Sequence, residues 1–145
     1  MSYSTWHNYG YGLRTDNLVI KSVENLEELI GHAPEYQAWV KKHFEELQVD
    51  KPKIADYLEL DEDFNNGLAS IMCAVIREAE GLELTACDDF DCCQYLLYQP
   101  LYPWQMKSED RKITEERLDE IFMRYFSIIT EDEISLDYLS PENGG

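Results

Sequence analysis

The stretch that decides the fold is Asp63-Phe64-Asn65-Asn66-Gly67-Leu68-Ala69-Ser70-Ile71-Met72-Cys73-Ala74-Val75-Ile76-Arg77-Glu78-Ala79-Glu80-Gly81. Phe64, Leu68, Ile71, Met72, Val75, Ile76 and Ala79 recur at spacings of three and four, which predicts one helix over 63–80 with a wide apolar stripe. Ala69, Cys73 and Ala74 widen the stripe, so this helix belongs at the centre. Gly81 stands where a left-handed residue ends a helix. Directly afterwards the period changes. Leu82, Leu84 and Ala86 alternate with Glu83, Thr85 and Cys87, and Cys92 to Tyr98 follows as a second, more buried run beyond the turn Asp88-Asp89-Phe90-Asp91. A central helix followed by a hairpin indicates an α+β domain.

Outward from this centre the other elements follow. On the N-terminal side, Ser22 caps a short helix bearing Leu26, Leu29 and Ile30, and Pro34 opens another. That second helix is expected to bury Tyr36, Trp39, Val40, Phe44 and Leu47. Ile54, Tyr57 and Leu58 suggest one or two further turns. Residues 3–20 read as extended, with Tyr9 and Tyr11 on one face and Gly10 and Gly12 on the other. Glycine inside a strand marks close backbone approach or a bulge. On the C-terminal side, Thr114 caps a last helix carrying Leu118, Ile121, Phe122, Tyr125 and Phe126. Ile134, Leu136 and Tyr138 alternate in a final strand. The expected architecture is one domain over 1–145. It is a small, mostly antiparallel sheet with about four helices packed mainly on one face, and with loose ends at 1–2 and 141–145.

The 145 residues carry 44% hydrophobic residues, enough for a core. Ten tyrosines supply apolar area with polar tips. No run reaches the ~18 apolar residues of a membrane span. The start, Met1 to Trp6, lacks the basic and apolar regions of a signal peptide. The expected setting is therefore the cytoplasm, where Cys73, Cys87, Cys92 and Cys93 are reduced thiols.

Motifs for catalysis or metal binding do not stand out. Asp61-x-Asp63-x-Asn65 begins like a calcium loop, but the sixth position is Asn66 rather than Gly and the twelfth is Met72 rather than Glu. Asp63 reads instead as a helix cap. Cys87, Cys92 and Cys93 lack the paired spacing of a zinc site, and strand alternation places Cys92 and Cys93 on opposite faces. Of the three histidines, His43 reads as a structural residue at the edge of an apolar helix face, and a pair such as His7 with Cys92 or Cys93 has no signature to accompany it. The expectation is no catalysis, no metal and no cofactor.

Acidity is the outlying feature. Thirty Asp and Glu face twelve Lys and Arg, a net charge of −18. Such a field repels nucleic acid and anionic membranes and attracts basic surfaces. Residues 24–63 hold twelve acids against Lys41, Lys42, Lys51 and Lys53; residues 109–142 hold eleven against Arg111, Lys112, Arg117 and Arg124. Residues 78–91 hold six, Glu78, Glu80, Glu83, Asp88, Asp89 and Asp91, with no base. The middle segment is the purest. Glu83, Asp88, Asp89 and Asp91 are thus the first candidates for partner contacts, followed by Glu59, Asp61, Glu62 and Asp63.

Three stretches carry a resemblance: Tyr3-Ser4-Thr5-Trp6-His7-Asn8-Tyr9-Gly10-Tyr11-Gly12, then Asp88 to Asp91 through Tyr102-Pro103-Trp104, and Glu142-Asn143-Gly144-Gly145. The chain resembles small acidic proteins of prophages and mobile elements in Gram-positive bacteria. In size and acidity it is similar to phage anti-restriction and anti-CRISPR proteins, several of which imitate DNA. The resemblance implies an inhibitor or decoy that occupies the basic, nucleic-acid-binding surface of a defence protein, such as a CRISPR effector or restriction enzyme, without binding nucleic acid itself. It carries over no functional residues. The motif residues look architectural, with Trp6 and Trp104 near the sheet. Two other readings stand beside it: an interaction module using exposed tyrosines such as Tyr9 and Tyr11, and a small hydrolase or metal-dependent enzyme.

Overall fold

The computed structural model describes residues 5–7, 9–60, 67–89, 91–99 and 113–144. In chain order the elements are β1 (Thr5–His7), β2 (Gly10–Arg14), α1 (Val23–Ile30), α2 (Pro34–Glu46), α3 (Ile54–Leu58), α4 (Leu68–Glu80), β3 (Thr85–Asp88), β4 (Gln94–Tyr98), α5 (Glu115–Ile129), β5 (Asp137–Leu139) and β6 (Glu142–Gly144). The fold is α+β. Four strands form an antiparallel sheet in the order β3-β4-β2-β5, and β1 pairs with β6 in a separate ribbon. None of the described helices is long and apolar enough to cross a membrane.

Local chemistry accounts for the helix ends. The Ser22 hydroxyl accepts the Asn25 N–H at 3.3 Å, and that of Thr114 accepts the Arg117 N–H at 3.1 Å. Pro34 opens α2, whose next two N–H groups, Glu35 and Tyr36, both donate to the Glu78 carboxylate at 2.9 Å. A side chain of α4 thereby caps α2. Gly81 ends α4 with φ +69°.

The start of α4 differs from the sequence expectation. The helix begins at Leu68, and Gly67, with φ +54° and ψ −125°, is its N-cap. That conformation belongs to glycine, and a Cβ there would sit 2.7 Å from the Gln94 Oε1. A helix cannot run through it from Asp63, which itself lies outside the described residues.

The core gathers Leu26, Leu29 and Ile30 of α1, Ile71, Met72, Val75 and Ile76 of α4, and Phe122, Phe126 and Ile129 of α5 against Tyr11, Leu13 and Leu96 of the sheet. All these helical residues are essentially excluded from water. α2 departs from its expected packing. Val40 and Phe44 are buried, but Trp39 and Leu47 are about half exposed (49% and 55%) and Tyr36 is half-buried. Trp39 stacks between Tyr36 and His43, with ring centroids 5.8 and 5.3 Å away. The three-and-four spacing is real, but only part of the stripe is buried.

Two more corrections concern the strands. β4 starts at Gln94 rather than Cys92, because Cys92 has φ +62° and belongs to the turn. Alternation therefore does not apply to Cys92 and Cys93. The tail expected to be loose is ordered at 142–144, where His7 pairs with Glu142 and Thr5 with Gly144, and Pro141 is buried. The expected position of Trp6 and Trp104 near the sheet concerns the Trp6 side chain and residue 104, both outside the described residues.

Candidate functional site: an acid-lined furrow on the sheet

The register sorts the sheet into two faces. Tyr11, Leu13, Leu96 and Tyr138 point to the helices, so Gly12, Arg14, Tyr95, Leu97, Asp137 and Leu139 share the other face. Glycine at position 12 is required by close approach: a Cβ there would lie 1.9 Å from the Leu96 carbonyl oxygen.

A furrow crosses that face in two parts. One part, about 420 Å³, is lined by Asp89, Asp91, Tyr95, Leu139, Ser140, Pro141 and Glu142. The other, about 290 Å³, adds Gly12, Arg14, Glu133, Ile134 and Asp137 and shares Tyr95 and Leu139. Five carboxylates therefore border it. Asp91, Glu133, Asp137 and Glu142 are exposed and Asp89 is half-buried. Among the described lining residues the base is Arg14, held by Asp16 through two hydrogen bonds of 2.8 Å. Asp16 also accepts the Gln94 N–H at 2.8 Å. The Arg14 hydrogen bond is the main reason that its carboxyl lies below the usual range; burial opposes it.

Asp89 builds the turn. Its Oδ1 accepts the N–H groups of Asp91 and Cys93, both at 2.9 Å, and its Oδ2 accepts the Tyr95 hydroxyl at 2.9 Å. Burial works against this carboxylate, but the three hydrogen bonds outweigh it and hold its pKa below the ordinary value. Tyr95 shows the reciprocal effect. Burial, then the bond to Asp89, pushes its hydroxyl up to about 12. Asp89 thus fixes the furrow's floor as well as adding charge.

The predicted contact residues fall into separate places. Asp89 and Asp91 line the furrow. Asp88, half-buried at the end of β3, and Glu83, exposed before it, border neither part. Glu59 sits at the C-terminal end of α3 and lines neither part. Asp61, Glu62 and Asp63 lie outside the described residues. Sequence reading missed Glu133, Asp137 and Glu142. The signal was present, since residues 131–142 contain five acids and no base, but it was averaged into the longer segment 109–142.

The charge balance between segments also changes in space. Arg117 and Arg124 do not only dilute the field of α5. Both reach Glu80, at 3.7 and 2.6 Å, and Arg117 also holds Glu120 at 3.2 Å. Glu78 is engaged at the start of α2. The segment 78–91 is base-free in sequence but not in the fold.

Among the described residues no cluster of His, Cys, Asp and Glu has metal-binding geometry. Burial raises the Cys73 thiol, and raises Cys87 to about 11, so both are protonated near neutral pH. Cys92 is exposed in the turn. The side chain of His7 lies outside the described residues, so the His7 pairing does too. The arrangement is suited to holding cationic side chains: exposed carboxylates on both banks, with Tyr95 and Leu139 between them.

No family model, curated protein or solved structure matches the chain.

Proposed function

We propose that this chain is a non-catalytic acidic inhibitor that occupies a basic, nucleic-acid-binding surface of a bacterial defence protein, in the manner of anti-restriction or anti-CRISPR proteins. The observation that carries the reading is the furrow. Two stretches without Lys or Arg, the β3–β4 turn and residues 131–142, line the two parts of the furrow, which share Tyr95 and Leu139, with five carboxylates. Duplex DNA presents one charge per ~1.7 Å of axis, and rows of carboxylates on a folded surface compete for the same Lys and Arg. A net charge of −18 adds long-range attraction to such a target and disfavours direct binding to nucleic acid. The expected setting is the bacterial cytoplasm.

The test is displacement. The protein is titrated into complexes of duplex DNA with restriction endonucleases and with guide-loaded CRISPR nucleases. The expected result is release of DNA from at least one, weakening as salt rises, because exposed charges are screened beyond ~8 Å at physiological ionic strength. No displacement at low salt would refute the reading. The second reading, an interaction module, is favoured by the exposed aromatic residues Tyr9, Trp39 and Tyr138, which a purely electrostatic decoy does not need. Tyr11, expected to be exposed alongside Tyr9, is only 8% accessible and belongs to the core.

A further inference from the structure

β5 carries two surfaces, since alternate residues face opposite ways. Asp137 and Leu139 serve the furrow. Tyr138 points to the other side, where its ring stacks on Tyr9 at 6.0 Å and 15° and leans on Tyr11 at 5.0 Å. Tyr9 and Tyr138 are 53% and 48% exposed. The rings of Tyr138 and Tyr11 are fixed from behind. The Tyr138 hydroxyl donates to the Glu115 Oε1 at 2.5 Å, and the Tyr11 hydroxyl donates to the Asp119 Oδ1 at 2.8 Å. Glu115 and Asp119 stand one turn apart on the same face of α5. The two arginines of α5 are turned towards Glu80 instead.

A half-exposed tyrosine pair with the Glu115 carboxylate bonded to one of its hydroxyls matches one side-chain chemistry. Flat aromatic faces attract a cation through the ring quadrupole. A guanidinium is planar, weakly hydrated and able to stack while its edge donates to a carboxylate. An ammonium is compact and strongly hydrated and gains less from a ring face. Pairing with an added strand is less suited to this edge, because the Tyr138 N–H donates to the Asp137 side chain at 2.8 Å.

We propose that Tyr9 and Tyr138, with Glu115 behind them, form a docking site for an arginine side chain of the partner polypeptide. The site is separate from the furrow and makes the protein prefer arginine-rich to lysine-rich basic surfaces. The proposal rests on the reading of a basic partner and adds what kind of base it presents.

The experiment uses the full chain with two probes of equal charge, octa-arginine and octa-lysine, measured by titration calorimetry at low salt. Any strongly acidic protein binds both, and carboxylates alone favour arginine somewhat. The quantity read is therefore the arginine-to-lysine affinity ratio, and how it changes in variants. Tyr9→Ala and the double variant with Tyr138→Ala are expected to lower that ratio by about two- to fivefold, the scale of one exposed cation–π contact. Trp39→Ala, an exposed aromatic on α2, is expected to leave it unchanged. Tyr9→Ala alone suffices if the double variant fails to fold, since Tyr9 lies outside the sheet. A ratio unmoved by the tyrosine variants would overturn the docking site and leave the basic-partner reading standing. A fall of the same size in Trp39→Ala would also overturn it. Failure of both probes to bind wild-type protein would overturn both.

Discussion

Glu80 and Asp91 come from the same base-free stretch of sequence, yet they have opposite fates. Glu80, on the last turn of α4, is 13% exposed and clamped by Arg117 and Arg124 from α5. Asp91, in the β3–β4 turn, is exposed beside the furrow with Asp89 and Glu142. One region uses its acids internally, capping α2 through Glu78 and joining α4 to α5 through Glu80. The other presents them to solvent. The difference teaches that the charge of a sequence segment is not the charge of a surface. Bases far away in the chain decide which carboxylates remain available.

The largest expected effect comes from the furrow's floor. Gly12→Val places side-chain atoms against the Leu96 carbonyl, where even a Cβ would lie at 1.9 Å. Two paired strands would have to separate. The variant should lose about 3 kcal/mol or more of stability, measured by urea unfolding. A wild-type midpoint would show that the second face is not held as closely as described.

Next comes the turn. Asp89→Ala removes the acceptor of three hydrogen bonds and should cost about 1–2 kcal/mol. The pH dependence follows from the same contacts. The Asp89 carboxyl is held below its ordinary pKa, so its contribution is complete above the unfolded value near ~4 and is lost as pH falls through the folded value. The stability gap between wild type and Asp89→Asn should therefore be constant from pH 7 to 5 and should shrink below about 4. A gap that widens in acid would contradict the assignment.

Smaller still is the α4–α5 clamp. Glu80→Gln breaks ion pairs whose arginines are about half exposed, and about 1 kcal/mol is expected by thermal melting. Asp91→Asn should leave the melting temperature unchanged. Equal losses for the two would erase the contrast between internal and presented acids.

Much of this was legible in the residues. The stripe from Leu68 to Ile76 gave a central helix, and Ser22, Pro34, Gly81 and Thr114 marked ends found where expected. The glycines at 10 and 12 announced close backbone approach. What was not legible depended on contacts distant in sequence. Periodicity cannot say that Trp39 and Leu47 stay half exposed. Nothing near Gly67 in the sequence reveals Gln94 against it. Pairing of Glu142–Gly144 with Thr5–His7 joins opposite ends of the chain. Of the furrow, Asp89 and Asp91 could be named from the turn. Glu133, Asp137 and Glu142 needed β5 beside β2 to bring them to the same face.

The central claim is that the furrow, rather than total charge, engages a basic surface. Two triple variants test it most directly. One reverses Asp91, Glu133 and Asp137 to Lys; the other reverses Glu24, Glu28 and Glu46, exposed acids of α1 and α2. Both shift the net charge by the same amount from −18. If the wild-type protein displaces duplex DNA from a nuclease, that displacement is measured for each variant at matched ionic strength. The account predicts a loss of about tenfold or more for the furrow triple and a much smaller one for the helical triple. Equal losses would contradict it.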